Sequence, residues 1–199
     1  MLAQRLSRDQ LPADAAQLAR FLLGRLIVRQ IGEELLAGRI VETEAYLPGD
    51  AAAHSFIGRT ARNNSLFLER GHAYVYRSYG IHWALNVSAE SEGVGAGVLL
   101  RAIEPVHGIA SMRRNRGAPV PDRDLARGPG RLAAALAVDR SLDGVDLCAD
   151  HRLWLAEGAA PASTGVSTRI GITKEAHRPL RFFVAGSRFV SGPGWLNRV

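Results

Sequence analysis

The alternation of apolar and polar positions divides the chain into strands, short helices and one long irregular stretch. Leu11-Pro12-Ala13-Asp14 opens a helical pattern carried by Leu18, Phe21 and Leu22 and stopped at Gly24; proline near the first turn loses no hydrogen bond there. Leu26-Ile27-Val28 and residues 38–46 read as two strands joined by a short polar turn. Leu47-Pro48-Gly49-Asp50 signals a turn, and residues 51–70 predict a long irregular loop of a kind that often serves function. Residues 73–77 and 83–88 predict a strand pair joined around Ser78-Tyr79-Gly80, and residues 96–103 a third, mostly apolar strand with an arginine inside it. Residues 106–114 read as helical, 116–124 as a Pro/Gly loop and 130–138 as an alanine-rich helix, with short strands at 152–155 and 180–184. No repeat or linker divides the chain, and strands and helices do not alternate regularly. The expectation is one α+β domain over residues 1–199, with residues 1–8 disordered.

Composition narrows the class. An apolar content of 47% with 22% charged residues is that of an ordered globular chain. No run approaches the roughly 18 apolar residues of a membrane span, and the N-terminus lacks an apolar signal core, so a cytoplasmic protein is expected. The single cysteine, Cys148, excludes an internal disulfide and any multi-cysteine metal site. The six histidines include no His-x-x-x-His pair, so neither a metal nor another cofactor is expected. The net charge of +6 and pI near 10.4 favour an anionic partner, nucleic acid first, although many mildly basic domains have none. Lys174 is the sole lysine among 25 basic residues. Arginine grips phosphate through a planar fork, and chemistry that needs an amine nucleophile has only Lys174 and the N-terminus.

The four tyrosines, Tyr46, Tyr74, Tyr76 and Tyr79, all fall within residues 46–79, among Glu44, His54, Asn86 and Arg101. A tyrosine offers a large flat face and a polar tip, so this concentration suggests a slot for an aromatic ligand with an acid or base at its edge. In Glu42-Thr43-Glu44-Ala45-Tyr46 the strand period of two puts both carboxylates and Tyr46 on one face. A partly desolvated carboxylate there could act as general base or acid, whereas an exposed strand face would leave two solvated glutamates. A glycosidase using both is disfavoured, because its two carboxyls must flank the scissile bond. Arg101, within an apolar strand, needs a partner, Glu44 or Glu104, in an ion pair that is either structural or catalytic. Asn86 is either a satisfied core amide or a reader of a ligand edge. Tyr79, at a hairpin tip, is a loose surface ring or a wedge of the kind that unstacks bases. Gly93-x-Gly95-x-Gly97 precedes a strand and makes a poor phosphate cradle. Arg127-Gly128-Pro129-Gly130-Arg131, at a helix start, is a better anion site, though ordinary helix initiation explains it equally well.

Together these segments resemble the alkyladenine (3-methyladenine, methylpurine) DNA glycosylases. The resemblance is carried by Arg39-Ile40-Val41-Glu42-Thr43-Glu44-Ala45-Tyr46, Ala52-Ala53-His54-Ser55, Arg62-Asn63, Tyr74-Val75-Tyr76-x-x-Tyr79-Gly80, Asn86-Val87, Val98-Leu99-Leu100-Arg101-Ala102-x-Glu104-Pro105, Gly128-Pro129 and Arg178-Pro179-Leu180-Arg181-Phe182. It runs in order from about residue 11 to about 190. It implies a curved, mainly antiparallel sheet with flanking helices and a protruding β-hairpin. The implied activity is removal of damaged purines from double-stranded DNA by base flipping, by a monomeric bacterial enzyme without cofactor. Glu44 would activate water, with Arg101 helping to hold it. Tyr46 and His54 would stack on one face of the base and Tyr76 on the other, the main-chain N–H of His54 addressing the base edge. Asn86 would crowd the 2-amino group of normal guanine, and Tyr79 would fill the gap in the duplex. Arg59, Arg62, Asn63, Arg127 and Arg131 are assigned to the DNA backbone, and Tyr74 to packing. The hairpin continues as Ile81-His82-Trp83, where His82 matches no assigned role. A non-catalytic nucleic-acid-binding module and a nucleosidase acting on free nucleosides are the competing readings.

Overall fold

The computed structural model describes residues 3–117 and 119–198. Helix α1 (Ala15–Phe21) is capped by Asp14, whose side chain accepts from the Gln17 N–H. It leads into the antiparallel hairpin of β1 (Leu26–Ile31) and β2 (Glu34–Tyr46). Beyond the long loop, β3 (Ala73–Ser78) and β4 (His82–Ser88) form a second hairpin, followed by β5 (Gly97–His107), α2 (Ile109–Arg116) and α3 (Pro129–Ala135). Short strands β6 (Leu153–Ala156), β7 (Thr164–Ser167) and β8 (Arg181–Val184) complete a sheet of order β3-β4-β5-β2-β1-β6. The named strand pairings are antiparallel, and β8 joins β2 beyond the point where β1 leaves it. The fold is α+β, as the sequence predicts.

Three details differ from the sequence reading. Residues 3–8 are not loose: the Leu6 N–H donates to Leu155 O and the Leu6 side chain is buried; residues 1–2 lie outside the described residues. The segment read as helical from 106 is still strand through His107. Gly108, left-handed at φ 71°, turns the chain, and an added Cβ there would lie 2.5 Å from Leu35 O. Strand β7 carries small or polar side chains, Thr164, Gly165 and Ser167, which give no apolar alternation to read.

One face of the sheet, with Val75, Leu85, Val87, Val98 and Leu100, packs on Leu18 and Ala19 of α1 and Leu132 and Ala133 of α3. The other face carries the tyrosines and charged groups. Its parity is set by two bulges. Ile40 pairs with Ile103, Glu42 with Ala102, and Thr43 with Leu100, so Val41 is supernumerary on β2 and Arg101 on β5. Bulges re-aim side chains beside functional sites. Here Ile40 belongs to the main core, Thr43 points to α1 and bonds Ala19 O at 2.8 Å, and Glu42 and Glu44 are turned to the opposite side with Arg101.

Candidate active site

Glu42 and Glu44 are both fully buried, which rules out the solvated strand face. Arg101 lies between them: its Nε donates to Glu42 Oε1 at 3.0 Å, and its terminal Nη1 stands 3.2 Å from Glu44 Oε1. Glu104 is not its partner; it faces Arg39 at 3.8 Å. Behind Glu42, the fully buried Arg181 donates at 2.7 Å to the same Oε1, and Ser191 contributes its N–H and hydroxyl. The result is a buried chain of alternating charge, Glu44–Arg101–Glu42–Arg181. Burial alone would raise the Glu42 carboxyl, but Arg101, Arg181 and the Ser191 N–H outweigh it and hold it below the ordinary value. Glu44 goes the other way. Burial raises it, offset only in part by Arg101, the Ile170 N–H at 2.7 Å and the Tyr46 hydroxyl at 3.0 Å.

Above Glu44 opens a cavity of about 480 Å³ lined by Tyr46, His54, Arg62, Tyr74, Tyr76, Tyr79, Asn86, Arg101 and Ile170, among others. The sequence-predicted ring residues and Asn86 thus converge. Tyr46 is braced from behind by the buried Arg169, whose guanidinium lies 4.6 Å from the ring centroid and forms an ion pair with buried Asp50. Arg169 also donates to Ala45 O. The same segment therefore delivers the Ile170 N–H to Glu44 and clamps Tyr46. Sequence reading missed both: Asp50 passed as part of a turn, and a backbone N–H leaves no mark in a sequence. Tyr74 is more than packing. Its ring stacks on Tyr76 at 5.3 Å, and its hydroxyl meets His54 Nδ1 at 2.9 Å. Desolvation and Arg62 depress the His54 imidazole, favouring its neutral form.

The expected sandwich needs rearranging. The His54 and Tyr76 ring centroids are 4.4 Å apart at an interplanar angle of 67°, whereas a purine between two rings needs two spacings of about 3.5–4 Å each. His54 and Tyr76 therefore form one wall, and Tyr46 is the candidate for the other. Asn86 is buried, donates to Tyr74 O at 3.1 Å and lines the cavity.

Tyr79 stands at the hairpin tip, 89% exposed, with φ 50° beside Gly80 at φ 69°, and the Ile81 N–H closes the turn on Ser78 O. Left-handed φ at both central residues is the geometry that prefers Asn-Gly, so a large aromatic ring is held out at a conformational cost; Ser78 pairs with His82, leaving three residues at the tip. The residue left unassigned, His82, packs on the start of α3: a Cβ on Gly130 would lie 2.9 Å from its Cβ.

The backbone candidates divide. Arg59 and Arg62 are both exposed; Arg62 lines the cavity, whereas Arg59 donates to Asn64 Oδ1. Asn63 is corrected: it is buried, its Nδ2 donates to His54 O and Gly58 O, and its Oδ1 accepts from the Thr60 N–H, so it braces the loop and has no donor for phosphate. Arg127 is drawn inward to Val190 O, and Asp124 lies 3.7 Å from Arg127 and 3.5 Å from Arg131, which weakens the helix start as an anion site. Gly95 lets Phe67 and Ser55 close over the strand, where a Cβ would lie 2.5 Å from Phe67, so the glycine run serves loop packing.

A family model for methylpurine-DNA glycosylase (MPG) matches residues 9–188. The chain belongs to this family. It is 63% identical over 189 residues to a Mesorhizobium japonicum protein provisionally named a 3-methyladenine DNA glycosylase, covering 94% of this chain and 90% of the other. It is 45% identical over 205 residues to the Mus musculus DNA-3-methyladenine glycosylase, covering 94% of this chain and 61% of the mouse protein. Among the described residues of this methylpurine-DNA glycosylase family member, no helix is long and apolar enough to cross a membrane.

Proposed function

We propose that the protein is a monofunctional DNA glycosylase that hydrolyses the N-glycosidic bond of alkylated or deaminated purines, acting as a monomer in a bacterial cytoplasm. The observation that carries this reading is Glu44, buried under a tyrosine-lined cavity and held by Arg101, the Ile170 N–H and the Tyr46 hydroxyl. The damaged purine, extruded from the duplex, lies between Tyr46 on one face and the His54–Tyr76 wall on the other, with the His54 main-chain N–H at its edge and Asn86 opposing the 2-amino group of guanine. Glu44 takes a proton from water as the water oxygen attacks the sugar C1′. The C1′–N bond breaks with its electron pair passing to the purine, leaving an abasic site. The oxocarbenium-like transition state is stabilised by the adjacent carboxylate. Alkylation at N3 or N7 makes the base cationic and a good leaving group, so one glutamate suffices. Stacking on the rings, roughly 1–3 kcal/mol per base, offsets the few kcal/mol of unstacking. Substrates follow as 3-methyladenine and 7-methylguanine, with hypoxanthine and ethenoadenine as neutral cases. Base release from duplexes that each carry one of these lesions tests the proposal; no release from any overturns it. Release from free nucleosides, insensitive to salt, would instead indicate a nucleosidase, because duplex binding weakens steeply with salt.

Two further results are expected. Glu44 must be ionised to accept a proton, and its carboxyl is raised above the ordinary 4.5. The acid limb of single-turnover excision from 7-methylguanine duplex should therefore have its midpoint above pH 4.5. A midpoint at or below that value contradicts general-base action by this group. Tyr79→Ala should weaken binding to lesion duplex by about tenfold, through lost stacking in the gap, as read by fluorescence anisotropy; unchanged affinity of the folded variant would remove Tyr79 from the flipping step.

A further inference from the structure

Eight large hydrophobic side chains are exposed among the described residues, and four of them fall on two turns: Phe56 at 53% and Ile57 at 79% on one, Tyr79 at 89% and Ile81 at 68% on the other. Tyr79 and Ile81 belong to the hairpin turn. Phe56 and Ile57 close the short helical turn His54–Ile57, which begins with a wall residue of the base cavity. Ile57 and Tyr79 line a second cavity of about 430 Å³ that shares His54, Tyr74 and Arg62 with the first.

Scattered single apolar residues on a surface mean little, but here two exposed apolar pairs each send one member, Ile57 and Tyr79, to the same cavity. The Phe56-Ile57 turn is also held in place. The buried Asn63 amide donates to His54 O and Gly58 O at 2.9 Å each, the Phe56 N–H reaches Ala53 O at 3.1 Å, and the Gly58 N–H reaches Ser55 O at 2.9 Å. Its two apolar side chains are thus displayed by a braced backbone. The charged groups nearby are mainly cations. Lys174, the sole lysine, places Nζ 6.0 Å from the Phe56 ring centroid and lines the second cavity with Arg62; Arg59 follows the turn directly. Glu175, the acid beside Lys174, lies 3.9 Å from Arg178. An apolar tip flanked by cations fits a polyanion that also offers apolar sugar and base faces.

We propose that Phe56 and Ile57 form a second apolar lip that presses on double-stranded DNA beside the extruded nucleotide, across the shared cavity from the Tyr79 hairpin. This rests on the glycosylase reading and extends it: the duplex is gripped from two sides, and only the hairpin enters the gap. Apolar contact releases no condensed counterions, so this lip adds to the salt-insensitive part of affinity, unlike a phosphate contact.

The test is the double variant Phe56→Ser/Ile57→Ser, whose sites are exposed and whose fold is checked by circular dichroism. Binding to a lesion-containing duplex is measured by anisotropy across a salt series, with base release followed on the same duplex. Affinity should fall by about tenfold or more, as expected for apolar area left in water, while the slope of log K against log salt stays at the wild-type value. Wild-type affinity in the double variant overturns the lip, as does a slope reduced in the manner of a lost charge contact. An unchanged duplex affinity with loss of a protein partner would mean that the patch serves another macromolecule, which also overturns it. Base release by the wild type separates the two levels: release with an unaffected double variant removes only the lip, and a wild type that neither binds duplex nor releases base removes both.

Discussion

Replacing Glu44 by glutamine is expected to reduce single-turnover base excision by about a thousandfold or more, within the range set by losing a positioned general base together with a carboxylate facing an oxocarbenium-like sugar. Glutamine has nearly the same shape and keeps an oxygen that can accept the Ile170 N–H, now received at 2.7 Å. It cannot accept the water proton, and it brings no negative charge to the transition state. Because Glu44 has no exposed surface, the substitution leaves the DNA-facing side chains unaltered, and duplex affinity should stay within about threefold of wild type. Alkaline cleavage of the abasic product, followed on gels, measures the first quantity and anisotropy the second. Excision at wild-type rate would mean that another group activates the water.

The largest stability effect is expected at Arg181, which backs the site without lining the base cavity. Its fully buried guanidinium donates to Glu42, Ser167 Oγ, Ser191 O, Leu196 O and Asn197 Oδ1. Arg181→Met should cost about 3–5 kcal/mol, since it strands a buried carboxylate with half of its countercharge; urea denaturation measures it. Glu42→Gln in the same chain should recover part of the loss, because the stranded charge is then gone. The network also has a pH signature. Glu42 is held below 4.5 in the folded state, so its contribution is present above about pH 4.5 and fades as pH falls through the depressed value. A loss below about 1 kcal/mol in Arg181→Met would mean that the network relaxes around the gap or admits water.

The parts of this site legible in the sequence are those that depend on residue type and short-range period. The Glu42-Thr43-Glu44-Ala45-Tyr46 alternation, the two tyrosines on one face of β3 and the apolar run around Arg101 all correspond to real strand positions. What escaped depends on distant segments meeting. Arg169 reaches Asp50, 119 residues away, and Arg181 reaches Glu42 across 139; no local pattern encodes such pairs. Asn63 was misassigned for the opposite reason: a polar residue in a polar loop looks free until its three hydrogen bonds within that loop are seen.

The paired bulges at Val41 and Arg101 give the protein an arithmetic vulnerability. On β2, which residue becomes the base is decided by counting along the strand as much as by chemistry. Were Val41 to pair regularly instead of bulging, strict alternation from Ile40 would exchange the two faces from there onward, sending the carboxylates toward α1 and Thr43 and Ala45 toward the cavity. A one-residue frame in the backbone thus stands between an acidic cleft and a failed core, so this stretch should tolerate changes of side chain far better than changes of length.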